Sequence, residues 1–127
     1  MKKLKKHKDW VKTQFTAPYK SPSYRNVLIH TGLIENIIEK EAKHKVNFDV
    51  AIKILKFSKR YKNLDKIDNL RKLRNKIVHK IEERELDEDR IIKIRDDMHK
   101  SLKEIYHSQS LIQKYFLKKY GIYTQNF

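Results

Sequence analysis

Residues 64–81 read LDKIDNLRKLRNKIVHKI, and the spacing of their apolar positions decides the fold class. Ile67, Leu70, Leu73, Ile77 and Ile81 recur at intervals of three and four. That period lays them along one face of an α-helix and does not fit the alternation of a strand. Asp65 stands where a helix N-cap is wanted. The helix carries one anomaly. At 100° per residue, Arg74 falls within about 40° of the apolar direction defined by Leu70, Ile77 and Ile81. A guanidinium there is costly unless it is paired or faces a cleft or an interface.

The helical period continues on both sides. Upstream, Ser23 is placed to cap a first helix reaching about Val46, with Val27, Thr31, Ile34, Ile38 and Ala42 in one stripe. Asn47 or Asp49 caps a second, to about Tyr61, with Val50, Ile54, Leu55 and Phe57 inward. Downstream of the acidic stretch EERELDED, a long fourth helix carries Ile91, Ile94, Met98, Leu102, Ile105, Ile112 and Phe116. A break near Ser108 to Ser110 gives a short fifth. Asp87, Glu88 and Asp89 sit where acids support a helix N-terminus, so they read as caps rather than metal ligands. Only two glycines and two prolines are present, too few for a β-sandwich with a turn every eight to twelve residues. The expected fold is all-α: an antiparallel four- to five-helix bundle with a long C-terminal helix. Residues 23–127 form a single helical domain, behind a basic tail and an irregular lead-in over residues 1–22 that holds both prolines.

Composition narrows the function. A chain of 127 residues builds one core, not two catalytic modules. It contains no cysteine, so disulfides and thiolate metal sites are excluded, which fits a reducing cytoplasm. MKKLKKHKDW opens with basic residues but no apolar run of signal-peptide type. No apolar stretch approaches the roughly 18 residues of a membrane span. The expectation is a soluble, cytoplasmic protein that engages no membrane. Its net charge of +15 attracts polyanions, nucleic acid first. Part of that excess reflects base composition: 24 lysines against seven arginines, with much Ile, Asn and Tyr, is what an AT-rich genome writes. Lys2, Lys3, Lys5, Lys6 and Lys8 either grip phosphates or form a tail without fixed structure. There is no Gly-rich phosphate loop, no HExxH and no solenoid repeat, and no cofactor or metal is expected.

Two hexapeptides resemble each other: RNVLIH at residues 25–30 and RNKIVH at residues 74–79. With seven Arg and six His in the chain, one such spacing is expected by chance, so helical placement must discriminate. On the first helix Arg25 points roughly 160° from the core direction and His30 lies on the flank; nothing there requires explanation. On the third, Arg74 needs a partner. One solution is an internal ion pair with Glu35 or Glu39 of the first helix, for which Arg is better suited than Lys because its fork binds a carboxylate bidentately. The other is a functional site. Asn75 and His79, four apart, share a face, whereas Arg74 and His79 are about 140° apart on an ideal helix. Either the helix ends near Val78 and His79 swings round, or two copies of the chain complete the site together.

A small, basic, all-α chain with LRNKIVH late in its third helix resembles the HEPN superfamily. The resemblance covers about residues 23–120, and its specific part is one hexapeptide. It implies a helical bundle, usually dimeric, marked by Arg-x(4–6)-His with a polar residue after the Arg. Many members are metal-independent endoribonucleases of toxin–antitoxin, abortive-infection and CRISPR systems. By position, the motif arginine is Arg74, the polar residue Asn75 and the histidine His79, while nothing carries over to RNVLIH. One departure stands out. HEPN toxins paired with minimal nucleotidyltransferases have a tyrosine two residues past the histidine, where this chain has Ile81. The resemblance implies RNA as substrate, a homodimer and, for a toxin, an antitoxin protein. In the expected mechanism His79 transfers protons, Arg74 clamps the phosphate and Asn75 orients either one. The products are a 2′,3′-cyclic phosphate and a 5′-hydroxyl.

Two further readings stay open: a non-catalytic module that holds RNA or a nucleotide through the same cleft, and a structural protein with Arg74 in an internal salt bridge. His7, His44, His99 and His107 lack a spaced partner and read as solvated or packing residues. The C-terminal KYFLKKYGIYTQNF interleaves lysine with Tyr115, Phe116, Tyr120, Tyr123 and Phe127. Such rings can stack on single-stranded bases; the reading preferred here is that they pack on the core or on a second subunit.

Overall fold

The computed structural model describes residues 23–43, 45–82 and 88–127, without the side chains of residues 80–82 and 126. The expectations for the basic tail, His7, His44 and Asp87 lie outside the described residues. Within them the chain is an all-α helical bundle with five helices and no strand: α1 (Tyr24–Ala42), α2 (Phe48–Ser58), α3 (Leu64–Glu82), α4 (Glu88–Ser108) and α5 (Ser110–Tyr120). A 3-10 turn, Thr124–Asn126, follows.

Local chemistry sets the ends. Ser23 caps α1, its side chain accepting from the Asn26 N–H at 3.2 Å, and Asn47 caps α2 by accepting from the Val50 N–H at 3.0 Å. α1 stops at Ala42 instead of Val46 because Lys43 turns left-handed (φ 59°) and its N–H returns to the Lys40 carbonyl. α2 ends at Ser58 in the same way, on Lys59. Leu64, two residues earlier than an Asp65 cap implies, opens α3, so Asp65 lies in the first turn; its carboxylate meets Lys56 at 2.9 Å. Glu88 and Asp89 occupy the first turn of α4, where carboxylates oppose the helix dipole.

The long fourth helix does break, at Gln109. This residue is extended (φ −89°, ψ 105°), and its side-chain oxygen accepts from the Leu111 N–H, capping α5. Its amide donates to the Lys62 carbonyl at 2.7 Å. One buried glutamine therefore starts a helix and ties down the turn between α2 and α3.

α3 packs most extensively on α4 and α1 on α2, while α1 also meets α4 and α5. Ile34 and Ile38 of α1, Ile52 of α2, Ile67 and Leu70 of α3, and Met98 and Leu102 of α4 are at most 1 % exposed. Each such side chain stabilises the fold by about 1.5–3 kcal/mol on burial. The expected stripes of α1 and α4 are buried at their centres, but α2 is rotated from expectation. Phe48, Ala51, Ile52 and Leu55 face inward, while Phe57 is 90 % exposed and Val50 lies at the surface. Tyr106 joins the last elements. Its carbonyl accepts from Thr124 Oγ1 at 2.7 Å and from Gln113 Nε2 at 3.0 Å, and its ring meets Phe116 and Phe127 edge-on.

Candidate functional site

Arg74 projects from α3 between two other helices. Its Nη1 donates to Glu35 Oε2 of α1 at 2.9 Å, and its Nη2 to Asn75 Oδ1 at 3.3 Å. The guanidinium carbon lies 5.7 Å from the centre of the Phe48 ring of α2, within cation–π range. α1 and α3 are not among the extensively packed helix pairs, so these two long side chains bridge elements whose backbones stay apart. The Arg74 side chain is 29 % exposed and that of Glu35 23 %. Nε of Arg74 is buried and finds no acceptor among the described residues. A buried unmet donor costs about 1–3 kcal/mol.

Asn75 and His79 are exposed on the outer face of α3. With Lys72, Lys76 and Val78 they line an open hollow of about 570 Å³. Lys72 and Lys76 also border a second hollow, of about 400 Å³, that carries Asp97 and Glu104 of α4. Nearby, Asp68 binds Arg71 at 2.9 Å and Lys72 at 3.4 Å. Burial works to raise the Asp68 carboxyl, but the Arg71 hydrogen bond and the charges of Arg71, Lys56 and Lys72 outweigh it and hold it below the ordinary value.

The structure brings Arg74 and Asn75 into contact and sets Asn75 and His79 on one open surface. It does not aim Arg74 and His79 at one point. α3 continues to Glu82, so His79 remains about 140° around the helix from Arg74. The alternative in which the helix ends near Val78 is thereby removed. Of the two carboxylates proposed for Arg74, Glu35 is the partner. Phe48, beneath the guanidinium, was missed; its place directly after the Asn47 cap was the available signal.

RNVLIH splits differently from expectation. Arg25 is exposed, as its helical angle requires. His30 is not on a flank but fully buried, with Nδ1 2.8 Å from the Tyr106 hydroxyl. α1 packs on α2, α4 and α5, and its buried residues from Ile37 to Ala42 span roughly 140° of arc. His30 falls inside that arc.

His107 Nε2 meets the Phe127 carbonyl, and His99 is half-buried, with burial and Lys103 lowering its pKa. In the C-terminal segment Phe116 and Tyr120 are buried and Phe127 packs on Tyr106 at 5.1 Å, so most of its rings serve the core. Among the described residues no three His, Cys, Asp or Glu side chains converge as metal ligands. No protein-family model matches the chain, and no curated protein or solved structure matches it.

Proposed function

We propose that the chain is a metal-independent endoribonuclease of HEPN type, a cytoplasmic toxin or defence factor with a protein antitoxin, acting as a homodimer. The observation that carries this reading is the place of Asn75. It holds Arg74 from one side and lines the same basic hollow as His79. A phosphate arriving there meets Lys72 and Lys76 first, and the guanidinium, already oriented by Glu35, lies one residue inward. Because α3 runs on through His79, a second copy laid against this face supplies the histidine that faces Arg74. His79 takes the 2′-hydroxyl proton or protonates the leaving 5′-oxygen, and Arg74 neutralises the phosphorane.

The Arg74–Glu35 bridge favours a second reading, a non-catalytic module in which Arg74 is a strut and the hollow only binds RNA. RNA cleavage in EDTA separates the two. We expect 2′,3′-cyclic phosphate ends, a loss of about 100-fold or more in His79→Ala, and wild-type rates in Arg25→Ala. Full activity in His79→Ala, or its loss on adding EDTA, refutes the nuclease reading. Salt-sensitive binding without cleavage selects the binding module. Failure to bind RNA at physiological salt selects a helical interaction protein.

A further inference from the structure

On the side of the bundle where α1 meets α5, two lysines from different helices converge on one oxygen. Lys119 Nζ lies 3.0 Å from the Tyr115 hydroxyl and Lys40 Nζ 3.4 Å from it. Lys119 Nζ also lies 5.3 Å from the Tyr115 ring centre and 5.6 Å from that of Tyr120. Neither ammonium has a carboxylate within 4.0 Å among the described residues. Two ammonium groups brought to one phenol oxygen repel each other, and an anion placed between them would relieve that repulsion. The phenol responds to them. Burial works to raise the Tyr115 pKa, yet hydrogen bonds from Lys119 and Lys40 bring it below its ordinary value.

These groups line a pocket of about 240 Å³ whose apolar wall includes Leu33, Ile37 and Phe116. At Asn36 and Lys40 it adjoins a wider hollow of about 510 Å³ that contains Lys45 and Glu39. The smaller space alone lies just below the roughly 300–1,000 Å³ of small-molecule sites, and the wider hollow that it adjoins at Asn36 and Lys40 leaves room for the rest of a nucleotide.

The geometry points to a site for a phosphomonoester whose organic part carries a flat ring, as in a nucleoside 5′-monophosphate, with Lys40 and Lys119 gripping the phosphate, the aromatic wall receiving the ring, and Asn36 at its polar edge. A phosphomonoester carries about −1.5 to −2 charges at neutral pH, which matches two ammonium groups; an internal phosphodiester carries one. Two sources share this chemistry, a free nucleoside 5′-monophosphate and a 5′-phosphorylated RNA end. The site is remote from the α3 hollow in its lining residues and stands whether or not the chain cleaves RNA.

Calorimetric titration of the full chain with AMP and with adenosine tests it. AMP is expected to bind at least tenfold more tightly than adenosine. Lys40→Met and Lys119→Met each weaken AMP at least tenfold, whereas Lys93→Met, which removes one exposed charge from α4, changes it less than twofold. Lys40 is exposed, so its variant carries the test even if Lys119→Met fails to fold. Equal binding of AMP and adenosine, or equal weakening by Lys93→Met and Lys40→Met, overturns the proposal. Competition identifies the source. Displacement of AMP by a 5′-phosphorylated RNA hexamer but not by its 5′-hydroxyl form supports the strand end; displacement by neither supports the free nucleotide. Equal displacement by both hexamers overturns the preference for a monoester.

Discussion

Arg74 holds three helices at once, through Glu35 on α1, Phe48 on α2 and its own place on α3. A strut and a phosphate clamp both need such anchoring, and they separate when the partner is removed. We expect Arg74→Ala and Glu35→Ala to lower stability and to couple by about 0.5–2 kcal/mol in a urea-unfolding double-mutant cycle. Cleavage, however, should be lost in Arg74→Ala and largely retained in Glu35→Ala. Parallel loss in both makes Arg74 a strut alone. His30 is a structural residue by position, and His30→Ala leaves a void and removes the His30–Tyr106 hydrogen bond. The expected destabilisation is about 2–4 kcal/mol, a fall of about 10 °C or more in the calorimetric melting temperature. At this scale the sequence revealed Arg74 as anomalous and named Glu35 among its candidate partners. It hid the burial of His30, because one stripe of apolar residues records one neighbour and α1 has three.

Between elements, charge does what apolar contact leaves undone. Asp68 of α3 collects Arg71, Lys72 and Lys56, the last from α2. Its carboxyl sits below the ordinary 3.8. A depressed folded-state pKa contributes stability that is present above the unfolded value and is lost as pH falls through the folded one. We expect Asp68→Asn to cost about 1–3 kcal/mol at pH 7 and to flatten the loss of stability below about pH 4, read by urea unfolding across that range. An unchanged acid slope removes Asp68 from the account. Elements were legible where they were long: α1, α3 and α4 carry enough turns for the period to fix which side is inward. α2 has only 11 residues, and its apolar groups spread over roughly 220° of arc opposite Asp49, Lys53 and Lys56, so Val50 and Phe57, at one margin of that arc, were turned inward wrongly. The Gln109 break was visible only as a cluster of polar residues; its bond to the Lys62 carbonyl is a long-range fact that no local pattern records.

For the molecule as a whole, the proposed catalysis requires a second copy, and the α3 hollow is where it would be seated. Val78, 45 % exposed, stands in that hollow. Val78→Asp should leave the fold intact, shift a dimer to monomer in sedimentation equilibrium, and abolish cleavage. A monomeric wild-type chain that still cleaves removes the composite site. Assembly of the single chain follows a different logic. Its largest interfaces join consecutive helices, α1 with α2 and α3 with α4, and contacts this local in sequence form early and fast. The hydrogen bond between His30 and Tyr106 spans 76 residues and belongs to the closure of α1 over α4. By the same contact-order argument, that closure is expected after the hairpin-like pairs have formed. His30→Ala should therefore leave the refolding arm of a chevron nearly unchanged and raise the unfolding arm without altering its slope, a φ-value near zero. The buried histidine then sets how long the native state lasts rather than how quickly it is reached.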